Sequence, residues 1–157
     1  MKTLFISHVG SPGGAEYAMV SLCKRTQGAS VLLLEHGPLT ELLHNQGISY
    51  EVIALPDDIK GVTRSGNMLS SVKVIPSVLG FLRKLANRLY KYDVIVPMSQ
   101  KAFVLSVLSR VFVRRPIIWY MNDLICPEHF SGHLAKVMVL LANTGVEHVI
   151  VNSRASQ

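Results

Sequence analysis

Cysteine is nearly absent from this chain, and its scarcity excludes a good deal. Of 157 residues only Cys23 and Cys126 are cysteines, which fits neither a disulfide framework nor a metal-ligand spacing, so both are expected to be free thiols without a chemical role. Long apolar runs are missing as well. The nearest, Ala102 to Val113, is broken by Arg110 and falls short of the roughly 18 residues of a membrane span. Lys2 is followed by only a few apolar residues before His8, which leaves no signal-peptide core. The chain is therefore expected to be soluble and cytoplasmic. Charged residues are also few, 17% against 49% hydrophobic, and that balance excludes a disordered chain. The length suits one domain with a real core.

What is present is organised around Met1 to Val20, MKTLFISHVGSPGGAEYAMV. Thr3 to His8 reads as a strand, Val9 to Gly14 as a turn, and the segment from Gly14 to Thr26 as a helix with Ala15, Ala18, Met19 and Leu22 inward. Gly13 and Gly14 let the backbone approach a ligand where the first free N–H groups of the helix point, which makes an anion site. A turn that only packs strand on helix would use the same glycines. The dinucleotide fingerprint is not met, because no third glycine follows the pair. Glu35 does lie about 20 positions on, where that fingerprint places an acid, so a small oxidoreductase is the reading that NADH binding would revive.

The rest of the chain alternates. Strands are expected at Ser30 to Glu35, Ser49 to Ala54, Asp93 to Met98, Pro116 to Met121 and Glu147 to Val151. Helices are expected from Pro38 to a C-cap at Gly47, over Val72 to Lys91, Ala102 to Val113 and His133 to Asn143, with a mobile loop over Pro56 to Ser71. Six strands separated by helices predict an α/β fold. It is a Rossmann-like three-layer α/β/α arrangement with a mainly parallel sheet in the order 3-2-1-4-5-6. The crevice then opens between strands one and four at their carboxyl ends, with His8, Gly10 to Gly14, Ser99, Asn122 and Asp123 along its rim.

Several segments together carry a resemblance: S-P-G-G-A-E after strand one, H-G-P-L-x-x-x-L-x-x-x-G-I-x-x from His36 to Tyr50, D-V-I-V, I-I-W-Y-M-N-D and V-N-S-R-A-S. The chain resembles the N-terminal half of a retaining glycosyltransferase of family four, a GT-B fold, along essentially its whole length. The resemblance implies an acceptor-side domain over residues 1–152, the start of an inter-domain linker at 153–157, and a donor domain absent from this chain. Gln157 is accordingly not expected to be a natural end. It also implies that Gly13, Gly14 and Glu16 form the loop near donor diphosphate and acceptor, that His8 and Ser99 bind the acceptor, and that Asn122 and Asp123 sit at the catalytic position. Glu16 would equally serve the helix dipole. The family commonly has His-Asp where this chain has Asn122-Asp123, and asparagine carries no proton at neutral pH.

Charge is uneven. Lys60 to Arg115 holds eleven Lys/Arg and one acid, Asp93, within a chain of net charge +6. Lys73, Lys84, Arg88 and Lys91 share one face of the expected long helix, suited to an anionic membrane surface or simply to solvent. No nucleic-acid motif accompanies them, so no nucleic-acid partner is expected. His129 and His133 have helical ligand spacing but no third partner, and no metal is expected. No cofactor is expected beyond a nucleotide-sugar co-substrate. The partners implied are that donor, a glycan or lipid-linked acceptor, and a chain supplying the donor half. The competing reading is a non-catalytic Rossmann-like binding module, or one subunit of a two-chain transferase.

Overall fold

Apolar alternation along the strands separates two hydrophobic layers. In the computed structural model, which describes residues 1–60, 74–122 and 132–151, strand β1 (Thr3–Ser7) is buried along its whole length. Leu4 and Ile6 face one layer and Phe5 the other. Such two-sided burial is what an apolar central strand of a parallel sheet requires. β1 pairs in parallel with β2 (Ala29–Leu33) on one side and β4 (Val94–Pro97) on the other, and β2 pairs with β3 (Tyr50–Val52).

Helices cover both faces. Met19, Val20 and Cys23 of α1 (Gly14–Arg25) and Leu39 and Leu43 of α2 (Leu39–Asn45) pack against Phe5, Val31, Leu33 and Val96. On the other face, Phe81, Leu82, Leu85 and Leu89 of α4 (Ile75–Leu89) and Phe103 of α5 (Gln100–Leu108) pack against Leu4, Ile6, Leu32 and Ile95. Trp119 of β5 (Ile118–Met121) stacks on Phe103 with ring centroids 3.9 Å apart. Met138 of α6 (Gly132–Gly145) joins the same layer.

The expected order holds as β3-β2-β1-β4, with β5-β6 forming a parallel pair of their own. β4 meets β5 through a single parallel bridge, Ile95 to Ile117, and through the Ile95 N–H donated to the Pro116 carbonyl at 2.9 Å. Proline explains the gap, since Pro97 has no N–H to give a ladder. β6 (His148–Val151) is the outer strand.

The expected boundaries shift at Asp57–Lys60, α4 and α5 and hold at the end of α2. Asp57–Lys60 forms a helical turn, α3, inside the segment expected to be a loop; residues 61–73 lie outside the described residues, as does the expectation of mobility there. Helix α4 is shorter than Val72 to Lys91, with proline in its first turn. Helix α5 begins two residues earlier than expected because Ser99 caps it, and ends in a 3-10 turn over Ser109–Val111. Gly47 ends α2 as expected, at φ +67°, with its own N–H on the His44 carbonyl and that of Ile48 on Leu43.

Candidate active site

The connection from β3 leads past the centre of the sheet to β4, so the strand order reverses between β1 and β4. In open parallel sheets that reversal leaves a crevice at the carboxyl ends. Two helix N-termini flank it, and they differ. Helix α5 is closed by its own serine: the Ser99 side chain accepts from the Ala102 N–H at 3.4 Å and from the His8 N–H at 3.3 Å. Helix α1 has Gly13 at its N-cap in extended backbone, with no side-chain cap. Among the described residues, therefore, no side chain answers its first-turn N–H groups, as an anion site requires.

Beneath this open end lies a buried carboxylate. Glu16, only 6% exposed, accepts the Ser7 hydroxyl at 3.0 Å, and Ser7 Oγ in turn accepts the Val9 N–H at 3.3 Å. A Cβ placed on Gly13 would stand 3.1 Å from Glu16 Oε2. The carboxylate thus braces the turn from below, where the helix dipole favours negative charge. Burial turns Glu16 away from the solvent side of the crevice, and positioning is the role that its geometry supports.

A second loop locks onto the first. Gly10 accepts the Leu39 N–H on its carbonyl at 2.8 Å and donates its own N–H to Glu35 at 3.4 Å. A Cβ on Gly10 would lie 2.5 Å from the His36 carbonyl oxygen, and one on Gly37 would overlap Gly10 itself. Both positions need glycine because two backbones touch. Sequence reasoning missed this lock and the role of Ser7. The signal available was a glycine in each of two consecutive strand-to-helix turns, but nothing local says that those turns meet.

Asn122 stands just past the end of β5. Its side-chain amide donates to the Met98 carbonyl at 2.8 Å, tying the end of β5 to the end of β4 where the ladder is interrupted. Asp123 lies outside the described residues, as do His129 and Lys73. So the structure brings His8, Gly13, Gly14, Glu16, Ser99 and Asn122 to one end of the sheet. Lys84 and Lys91 are exposed on a different surface, and Arg88 is paired there with Glu51 of β3 at 2.5 Å. Among the described residues no group of three His, Cys, Asp or Glu side chains could hold a metal ion, and no helix is long and apolar enough to cross a membrane. Cys23 is buried, and burial pushes its thiol up to about 12; it is chemically quiet.

No protein-family model matches the chain, and no curated protein sequence does. Solved structures do. HepE of Anabaena, crystallised with UDP-glucose, is 32% identical over 99% of this chain, which covers 38% of HepE, at a TM-score of 0.79. MurG of Acinetobacter baumannii aligns over 100% of this chain and 43% of its own, at 16% identity and a TM-score of 0.62. The lipopolysaccharide outer core galactosyltransferase WaaB aligns over 76% of this chain and 32% of its own, at 14% identity and 0.53. The chain thus has a GT-B glycosyltransferase-like fold and corresponds to one half of it. It spans about two fifths of the length of HepE.

Proposed function

We propose that this chain is the acceptor-side half of a glycosyltransferase that moves a sugar from a UDP-sugar onto a glycan or lipid-linked acceptor. The observation that carries the reading is the open N-terminus of α1, lying at the strand reversal of a fold whose relative at 32% identity was solved with UDP-glucose. The N–H groups at Gly13 and Gly14 would face the diphosphate as charge builds on it, and fixed dipoles so placed are effective because they need no reorganisation. His8, Ser99, Asn122 and Asp123 would hydrogen-bond the acceptor. Ser99 Oγ already accepts two backbone N–H groups, which leaves its own proton to give to an acceptor oxygen.

Asn122 cannot relay a proton. Its part would be to hold a sugar hydroxyl, with positioning and charge stabilisation supplying most of the rate, in the retaining manner of family four. Residues 1–152 would form this half and 153–157 the start of a linker. The donor half would come from further polypeptide or from a partner chain, and this chain alone would be inactive. The nucleotide-sugar is a co-substrate and no cofactor is called for. The site of action would be the cytoplasm, peripheral to the inner face of the cell membrane, where the basic helix face meets anionic headgroups.

The test is UDP release from UDP-sugars, with the donor half present and glycan or lipid extracts as acceptors. Gly14→Pro sharpens it. Proline is tolerated at a first helical position and removes one N–H, a Cβ on Gly14 would meet nothing within 4 Å, and extended Gly13 suits a residue before proline. A fold unchanged by circular dichroism with turnover reduced roughly 100- to 1000-fold is expected. Unchanged turnover in this variant, or no UDP release with any acceptor, would contradict the reading.

A further inference from the structure

The carboxyl end of the sheet has a second shoulder, on the side of the glycine turn that looks toward α2. Tyr17 stands there, 57% exposed, one turn into α1 with its backbone N–H on the Gly13 carbonyl at 3.0 Å. Lys24 identifies its flank. That residue lies two turns further along the same side of α1 and donates to Gln46 at the end of α2. Tyr17 therefore stands on the α2 side of α1, and the backward tilt of helical side chains carries its ring toward the rim. Gly14, one turn before it, is exposed, and a Cβ there would meet nothing within 4 Å. The space over this end of α1 is open.

The turn from β2 into α2 carries Glu35 and His36, both exposed. It is pinned to the turn that leads into α1, because Gly10 and the His36 and Gly37 backbone leave no room for a Cβ between them. Glu35 also holds the Gly10 N–H on one carboxylate oxygen at 3.4 Å, and its other oxygen accepts no hydrogen bond among the described residues. Two backbones in contact give the side chains on these turns a fixed spacing, which is what a preorganised site needs. An aromatic face, a carboxylate and an imidazole suit one class of ligand. A pyranose ring lays its apolar C–H face on an aromatic ring, and its hydroxyls donate to a carboxylate in charge-assisted bonds. The same carboxylate repels an acidic sugar, so charge selects as well as binds.

We infer that Tyr17, Glu35 and His36 form a subsite for a neutral pyranose of the acceptor, the sugar next to the one that reacts. Tyr17 lies against the ring face, Glu35 takes hydroxyls, and His36 meets the ring edge. The inference rests on the transferase reading and extends it, since that reading puts the reacting sugar at His8, Ser99 and Asn122, on the other side of the glycine turn. Tyr17, Glu35 and His36 position the acceptor and touch no reacting atom. Their loss is therefore expected in KM and not in kcat.

The experiment labels the protein, donor half included, with 3-fluorotyrosine and assigns the Tyr17 resonance by its loss in Tyr17→Phe. Cellobiose, maltose and lactose are titrated in the presence of UDP, with cellobiouronic acid as the anionic probe. A saturable shift of the Tyr17 resonance is expected with at least one neutral disaccharide and none with the acid. In turnover on a glycan extract, Tyr17→Ala should raise the half-saturating acceptor concentration about tenfold with kcat kept within about twofold, and Tyr17→Phe should behave as the parent. The exposed position should leave the circular dichroism spectrum of both variants intact. A Tyr17 resonance that answers UDP but no disaccharide marks a contact with the donor half and overturns the subsite. An equal shift with cellobiouronic acid, or an unchanged half-saturation in Tyr17→Ala, overturns it too. Absence of UDP release with every acceptor overturns the transferase reading, and the fluorine titration still decides the subsite.

Discussion

β1 and β6 are written in the same apolar alphabet and meet opposite fates. The side chains of β1 are buried from Thr3 to Ser7, whereas in β6 the adjacent residues Val149 and Ile150 are 44% and 45% exposed. Adjacent residues point to opposite faces, so both faces of β6 lack cover among the described residues. Beside β1, α1 and α2 close one face and α4 and α5 the other. A strand sequence therefore declares what burial it can use, while its neighbours decide what burial it receives. The same contrast separates the site from the rest: the crevice lies at the end of the best-buried strand, where loops are held by rigid elements.

Substitution should reproduce the contrast in order. Ile6→Ala, in the closed centre, is expected to cost about 2–5 kcal/mol in urea unfolding. Gly37→Ala comes next. Its Cβ would overlap the Gly10 backbone, so the two loops must part, at a cost of roughly 1–3 kcal/mol and with loss of UDP release, because the turn leading to Gly13 and Gly14 moves with Gly10. A thermal melt together with the turnover assay reads both.

Cys23 tests the burial of the α1 layer chemically. Its thiol is raised from 9.0 to about 12 by desolvation, so the folded state holds a proton that the unfolded state gives up first. The stabilisation is fully present below about pH 9 and is lost as pH rises toward 12. At pH 8 a thiol reagent should modify Cys23 only after unfolding; rapid labelling of the native protein at this cysteine, read by peptide mass, would contradict the packing. The smallest effect belongs to the edge: Ile150→Ser should stay within about 0.5 kcal/mol. A cost near that of Ile6→Ala would mean that β6 is covered in the protein as tested.

Much of this was legible in the sequence. Strand order followed from alternating apolar segments and the handedness of crossovers, and the position of the strand reversal followed from the order. The turn at Gly13 and Gly14 could be read because its parts are consecutive. What escaped reading depends on partners distant in the chain. Glu16 is a brace because Ser7 reaches it, Ser99 is a cap as well as a rim residue, and Arg88 is neutralised by a strand residue 37 positions away. The Gly10–Gly37 lock and the break between β4 and β5 at Pro97 are likewise matters of which backbones meet. Periodicity says which side of a helix is polar and is silent on what stands opposite.

The central claim is that the open N-terminus of α1 and the rim around it receive the UDP-sugar and its acceptor. Hydrogen–deuterium exchange of the protein, donor half included, with and without UDP-glucose addresses this directly. Slower exchange is predicted in residues 8–16 and 98–102, with no change in residues 39–45 of α2. Protection confined to other parts of this half, with the glycine turn unchanged at saturating UDP-glucose, would contradict the account.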